Sequence, residues 1–296
     1  MSNNLEKNVH ILPLGHEIER AVAPFANRHV DKVYLVVDEG KDETADESEM
    51  RQLQEKYTNS VKEALEEKKI EVVIEKTNMF DLGKLISTLS QIIKQEKIQG
   101  NSIHINISSS GRFASVAAAI AGMAHNITVY YVHSMSFSET KDDMLKYGVS
   151  RCNCEDPKVT VLQNYQLKLP EDEEGLILEL LYIKKHETKY PWVSPKDVGA
   201  LLNHYYPDRY PWNPVSNKKP KELGDKIDIY RKEQSKFLMK YHNGIIKDLL
   251  QENYVERKQN ERKHVLYQIT PSGEYALFLY GLSGKIVVNN GQIEYR

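Results

Sequence analysis

Two short phrases carry the residue types most suited to chemistry. Leu14-Gly15-His16-Glu17 joins an imidazole to a carboxylate, and Ser108-Ser109-Ser110-Gly111-Arg112 joins three hydroxyls to a glycine and a guanidinium. The serine phrase leads into an alanine-rich run, so its hydroxyls and the first amides of the following helix would present donors and a positive dipole end to an anion such as phosphate. An equally simple reading makes one serine the N-cap of that helix, with Gly111 easing the turn. His16 and Glu17 read either as a solvated loop or as an acid–base pair, and no metal-ligand spacing completes them. Cys152 and Cys154 stand too close in sequence for a good structural disulfide and are too few for a zinc site, so they read as two reduced thiols. No metal and no cofactor is expected. GxxxxGK[ST] is absent and no GxGxxG follows the first strand, which argues against nucleotide hydrolysis and dinucleotide redox chemistry.

Both phrases fall at the ends of expected strands. Val9–Leu14, Lys32–Val37, Glu71–Glu75, Ser102–Ile107 and Thr128–Val132 are short runs rich in β-branched residues. They alternate with helical patterns at Ile18–Asn27, Ser48–Lys68, Leu82–Glu96 and Arg112–Ala124. Such alternation predicts a Rossmann-like parallel sheet with helices on both faces, because each crossover must travel over the sheet before the next parallel strand begins. Ligands of such sheets bind outside the carboxyl ends of the strands, where the two phrases lie.

A different grammar begins after Asp156-Pro157, a strand-like Val159–Leu169 and Pro170. The expected domains are therefore 1–169 and 170–296. In the second, a helix places Leu176, Ile177, Leu180 and Leu181 on one face, and Ser194-Pro195 opens another that runs to about Asn203. The stretch 204–221 is rich in Tyr, Pro, Asn and Lys. Its aromatic residues suit ordinary packing or a protein contact. A long helix over Asp225–Gln251, broken near Asn243-Gly244, then precedes two alternating runs within Asn253–Ile269 that flank a basic tip, the pattern of a β-hairpin. Thr270-Pro271 opens the last helix. This order of three helices and a hairpin suits DNA, with a helix in the major groove and the hairpin on phosphates. The candidate contacts are Lys236, Lys240, His242, Asn243 and Lys247 on the helix and Arg257, Lys258, Arg262 and Lys263 on the hairpin.

Composition is that of an ordinary folded chain: 296 residues, 40% hydrophobic, 28% charged, formal net charge −2. The charge is uneven. Residues 1–169 hold 20 Lys+Arg against 24 Asp+Glu, a net of −4; residues 170–296 hold 20 against 18, a net of +2; and 218–264 hold 13 against 8, a net of +5. The longest apolar run, Ala114–Ala124, is too short to cross a bilayer, and the polar Met1–Lys7 does not suggest export. A cytoplasmic protein without a membrane partner is expected.

The phrase Pro13-Leu14-Gly15-His16-Glu17 together with Ile105-Asn106-Ile107-Ser108-Ser109-Ser110-Gly111-Arg112 resembles the CRISPR-associated Rossmann fold, or CARF, domain over about 150 residues. Residues 244–277, through Leu249–Arg257 and Tyr267–Gly273, resemble winged-helix regulators of the multiple-antibiotic-resistance and arsenic-repressor type. CARF domains fused to winged helices form a known class of predicted transcription regulators. The resemblance implies a homodimer whose paired CARF domains bind one cyclic oligoadenylate, with cyclic tetra-adenylate the expected ring, through Leu14, Gly15, His16, Glu17, Ser108, Ser109, Ser110, Gly111 and Arg112. It further implies a winged helix-turn-helix that binds double-stranded DNA, in CRISPR-linked defence. Some CARF domains cleave their ring without a metal, which would give His16, Ser109 and Arg112 a ring-nuclease role. The C-terminal half carries no paired-carboxylate and lysine cluster and no Arg-x-x-x-x-His motif, which argues against an effector nuclease.

Overall fold

The computed structural model describes residues 6–40, 45–163, 169–211, 242–259, 264–289 and 292–296. The chain divides into two compact units, Met1–Lys168 and Leu169–Arg296.

The first unit is built on a six-stranded sheet. Its strands are β1 (Asn8–Pro13), β2 (Lys32–Asp38), β3 (Glu71–Thr77), β4 (Ser102–Asn106), β5 (Thr128–Val132) and, by sheet position, Val159–Val161, in the order β3-β2-β1-β4-β5 with Val159–Val161 outermost. The first five are parallel. Ile11 of β1 aligns with Tyr34 on one side and Ile105 on the other. Continuous apolar runs fit these positions because both faces are covered: Val9, Ile11 and Leu12 in β1 and Val33, Leu35 and Val36 in β2 have no exposed surface. The covering helices include α1 (Glu19–Val22), α2 (Ala45–Glu66), α3 (Leu82–Ile98) and α4 (Arg112–Ala124). Alanines 114, 117, 118 and 121 form the buried face of α4.

Three expectations need correction here. The sheet is not wholly parallel, since Val159–Val161 pairs antiparallel with β5 and the strand stops well short of Leu169. The helix expected over Ile18–Asn27 is a single turn followed by a 3-10 turn at Ala23–Phe25, because Pro24 has no amide hydrogen to continue an α-helical ladder. A small subdomain also lies between β5 and the edge strand. In it β6 (Ser136–Phe137) pairs antiparallel with β7 (Ser150–Arg151) around α5 (Lys141–Tyr147); the edge strand Val159–Val161 is then β8.

The second unit contains α6 (Asp172–Glu187), α7 (Pro195–Tyr205), a π-helical turn at His242–Ile246 that continues as the helix Lys247–Gln251, β9 (Val255–Gln259), β10 (Val265–Ile269) and the helix Pro271–Tyr280. The hairpin β11 (Ile286–Asn289) and β12 (Gln292–Tyr295), which the sequence reading did not anticipate, ends it. Rather than burying one face, α6 buries almost all of its surface: Leu176, Ile177, Leu178, Leu180, Leu181 and Ile183 are each at most 5% exposed. It is the hub of the core, packed by α7, β10, β11 and the helix Pro271–Tyr280. The start of α7 is a capping box, with Ser194 Oγ accepting from the Asp197 amide at 3.3 Å, the Asp197 carboxylate accepting from the Ser194 amide at 3.1 Å, and Pro195 at the first helical position. Val193 forms an antiparallel bridge to Tyr267 of β10. Of the stretch 204–221, Tyr205 still belongs to α7, and Tyr210 is buried with its carbonyl accepting from Asn203 Nδ2 at 2.9 Å. Residues 212–241, which include the rest of that stretch and the helix expected over Asp225–Gln251 as far as residue 241, lie outside the described residues.

The phrase Thr270-Pro271-Ser272-Gly273 has a packing explanation. Thr270 Oγ1 caps the helix by accepting from the Gly273 amide at 3.0 Å. A side chain at position 273 would collide with the Tyr254 carbonyl, so only glycine lets the helix start lie against the end of the preceding turn.

Candidate functional site

A cavity of about 790 Å³ opens at the carboxyl edge of the sheet, and four consecutive strands feed it. Leu14–Glu17 follow β1, Asp38–Gly40 follow β2, Asn78–Phe80 follow β3, and Ser110, Gly111, Phe113 and Ala114 come from the passage into α4. The chain runs from β1 outward to β2 and β3, then returns to place β4 on the other side of β1. The loops after β1 and β4 therefore flank the point where strand order reverses, the expected ligand crevice of an open α/β sheet. Volume and lining suit a small organic ligand.

The nine residues singled out in the two phrases divide into two groups. Leu14, Gly15, His16, Glu17, Ser110 and Gly111 line the cavity; Ser108, Ser109 and Arg112 are not among its lining residues. Both buried serines are occupied with backbone. Ser108 Oγ accepts from the Val132 amide and Ser109 Oγ donates to the Pro13 carbonyl at 3.1 Å. The Gly15 amide donates to the Ser109 carbonyl at 2.7 Å, so the two phrases are bonded to each other. Neither serine caps α4. Gly111 is the N-cap, with no side-chain hydrogen bond, and it leaves the first turn of a 13-residue helix without a side-chain cap beside the cavity. Arg112 is exposed.

Glu17 and His16 are not a solvated pair. Glu17 Oε1 accepts from Ser150 Oγ at 2.7 Å and from Arg20 at 3.3 Å, and Oε2 accepts from the Ser150 amide at 3.1 Å. Burial pushes its carboxyl up, and Ser150 and Arg20 oppose that shift. Arg20 is buried in turn and donates to the Val132 carbonyl at 3.0 Å. His16 stacks on Tyr57 with centroids 4.9 Å apart, and burial lowers its pKa, which favours the neutral imidazole at the wall. On the opposite side Asp38 pins two loops together, accepting from the Gly40 amide at 3.1 Å and the Met79 amide at 2.9 Å. Charge at the wall is mixed, with Asp38 and Glu39 negative and Arg51 positive. Phe80, 81% exposed, and Phe113, 46% exposed, offer aromatic surface. The residues after β2 and β3, Asp38–Gly40 and Asn78–Phe80, were missed by sequence reading. Their signal was positional only, since they follow expected strands.

Among the nine DNA candidates, Lys247 is exposed on the helix Lys247–Gln251, and Arg257 and Lys258 are exposed on β9. The Lys258 ammonium lies over the Trp192 ring, 3.7 Å from its centroid. Lys236, Lys240, Arg262 and Lys263 lie outside the described residues, as do the side chains of His242 and Asn243. Among the described residues no helix is long and apolar enough to cross a membrane.

Residues 8–136, the stretch that builds most of this cavity, match the family model described as "HFX_2341_N:-like, N-terminal". The MJ1513 protein of Methanocaldococcus jannaschii is 26% identical over 204 residues, covering 61% of this chain and 58% of that protein. Similar solved structures include Can2 from Sulfobacillus thermosulfidooxidans in complex with cyclic tetra-adenylate, at 11% identity and TM-score 0.33, covering 92% of this chain and 63% of that one. Csm6 from Enterococcus italicus bound to cyclic hexa-2'-fluoro-hexa-dAMP aligns at 11% identity and TM-score 0.38, covering 83% and 57%. Protein VC1899 from Vibrio cholerae aligns at 13% identity and TM-score 0.38, covering 92% and 65%. The chain thus spans less than two thirds of the length of each of these relatives.

Proposed function

We propose that the first unit is a CARF-type sensor that binds a cyclic oligoadenylate in the switch-point cavity, and that the second is a winged helix-turn-helix whose DNA affinity the ligand alters. The observation that carries the reading is the chemistry of the cavity wall. An uncapped helix start supplies amides for a phosphate, Phe80 and Phe113 supply stacking faces for bases, and the Asp38 and Glu39 carboxylates accept from an amino group such as that of adenine. The sequence phrases at 13–17 and 105–112 support the same class of ligand. A cavity of this size takes a drug-sized portion of a ligand, so a ring shared by two copies of the chain in a homodimer fits it better than a ring held by one.

For the second unit, support comes from the capped α7, the helix Lys247–Gln251, the β9–β10 hairpin and the Val193–Tyr267 bridge that adds a third extended segment to it. Lys247, Arg257 and Lys258 are the contacts proposed among the described side chains, joined by His242 and Asn243, whose side chains are not described, and by Lys236, Lys240, Arg262 and Lys263 outside the described residues. The ligand can shift DNA affinity only by its differential affinity for the two states of the dimer. Salt-dependent binding to duplex DNA, measured with and without cyclic tetra-adenylate, tests the pairing of functions: a ligand-dependent change supports it, and equal affinities refute it.

A ring-nuclease reading keeps one supporting observation, the half-buried His16 at the wall, whose lowered pKa favours the neutral imidazole that a general base needs. Ser109 is engaged with Pro13, so His16 carries that reading alone. Product analysis after incubation with cyclic tetra-adenylate decides it, with His16→Ala as the control.

A further inference from the structure

Cys152, Cys154 and Glu19 come together although Glu19 and Cys152 are 133 positions apart in the sequence. Their sulfur and carboxylate ligand atoms all lie within 4.8 Å of one another. Glu19 opens α1, and the two cysteines follow β7. The carboxylate is already aimed: Oε2 accepts from the Cys152 amide and Oε1 from Arg151 Nε, each at 2.8 Å. The Arg151 guanidinium is itself held over the Tyr147 ring at 3.6 Å.

From this juxtaposition we propose a binding site for a thiophilic divalent cation of the zinc class, coordinated by Cys152, Cys154 and Glu19 with a water in the fourth position. Three protein donors plus one solvent ligand is a regular zinc arrangement, and thiolates select zinc, cobalt or cadmium over magnesium and calcium. A tetrahedron with metal–sulfur bonds of about 2.3 Å has edges of about 3.8 Å, so small side-chain rotations close the cluster. Charge balances too. Two thiolates, one carboxylate, one guanidinium and a divalent ion sum to zero, and binding would release the two thiol protons, which burial and the neighbouring Glu19 carboxylate otherwise hold in place. Arg151 takes the place of the outer hydrogen-bond donor that orients a ligating carboxylate. Glu19 is buried, Cys152 is half-buried and Cys154 is exposed, which leaves an entry path on the Cys154 side. The ion would tie α1 to β7, whose Ser150 holds Glu17 at the cavity wall, and so brace that wall from behind. The proposal is independent of the ligand assigned to the cavity.

The test is titration of the full-length, reduced chain with Co²⁺ in a buffer containing a phosphine reductant. A single Co²⁺ per chain, with thiolate charge-transfer absorption and the d–d bands of four-coordinate cobalt, displaced by Zn²⁺, is expected. Cys154→Ser changes an exposed residue and should retain the fold by circular dichroism while losing about half of the charge-transfer intensity. Arg151→Ala should weaken binding roughly 10–100-fold. Absence of a thiolate band in the wild type, an unchanged spectrum in Cys154→Ser, or a Cys152–Cys154 disulfide in protein purified without oxygen would overturn the site.

Discussion

Glu17 and Ser150 meet across 133 positions of sequence, and the serine donates twice to the carboxylate, from Oγ at 2.7 Å and from the amide at 3.1 Å. The contact joins the loop after β1 to strand β7 and fixes one wall of the cavity. Arg20 completes the cluster from the same side, so removing the carboxylate leaves a buried guanidinium without its counter-ion. Glu17→Ala is therefore expected to cost about 3–5 kcal/mol of stability. Glu17→Gln should cost less, because it retains an acceptor. Chemical denaturation of both variants checks the order, and equal losses would mean that the charge is unimportant.

Gly148 lies beside the same contact. Its φ is +91°, and a Cβ there would come within 2.5 Å of the Ile18 amide nitrogen and 2.9 Å of Glu17 Cα. Gly148→Ala is expected to lower stability by about 1–3 kcal/mol and to weaken ligand binding, because Glu17 and Val149 both line the cavity. Thermal melting and ligand titration of the variant measure the two effects together.

How much of this was legible in the chain depends on the range of the interaction. The span Arg112–Ala124 was readable as a helix because its alanines repeat at helical spacing, and Ser194-Pro195 because capping is local. Long-range pairing left no such trace: nothing near Glu17 points to Ser150, and nothing near Cys152 points to Glu19. Reading a serine at 108 or 109 as the helix cap failed for the same reason, since their hydroxyls bond to Val132 and Pro13, which belong to other strands. The one-faced pattern expected of α6 missed its burial on all sides, a property of its neighbours rather than of its own spacing.

A buried histidine sets a pH limit on the fold. His10 stacks on His104 at 4.7 Å, its Nδ1 lies 2.9 Å from the Tyr130 hydroxyl, and its pKa is lowered to about 3, first by burial and then by His104 and Arg28. Between its unfolded value of 6.5 and about 3, the unfolded chain binds a proton that the folded chain refuses. The stability contributed by neutral His10 is thus complete above pH 6.5 and is lost as pH falls toward 3, at up to about 1.4 kcal/mol per pH unit from this group. His104 shifts in the same direction. Denaturation midpoints at successive pH values should show this slope, and His10→Gln should flatten it; an unchanged slope would assign the acid lability elsewhere.

For the second unit, the exposed Lys247 and Arg257 are expected to touch phosphate. Replacing either by alanine should weaken binding to all duplexes alike and reduce the salt slope by about 1. Fluorescence anisotropy over a series of salt concentrations reads both quantities. Full retention of affinity and slope would remove this surface from the DNA contact.

Calorimetric titration of the intact chain with cyclic tri-, tetra- and hexa-adenylate tests the central claim most directly, with Phe80→Ala alongside because its exposed ring can be removed without disturbing the core. The account predicts one ring bound per two chains, cyclic tetra-adenylate preferred, and a loss of about 1–3 kcal/mol in the variant from the missing base stack. No heat with any ring, or binding that Phe80→Ala leaves unchanged, would contradict the assignment of this cavity to a cyclic oligoadenylate.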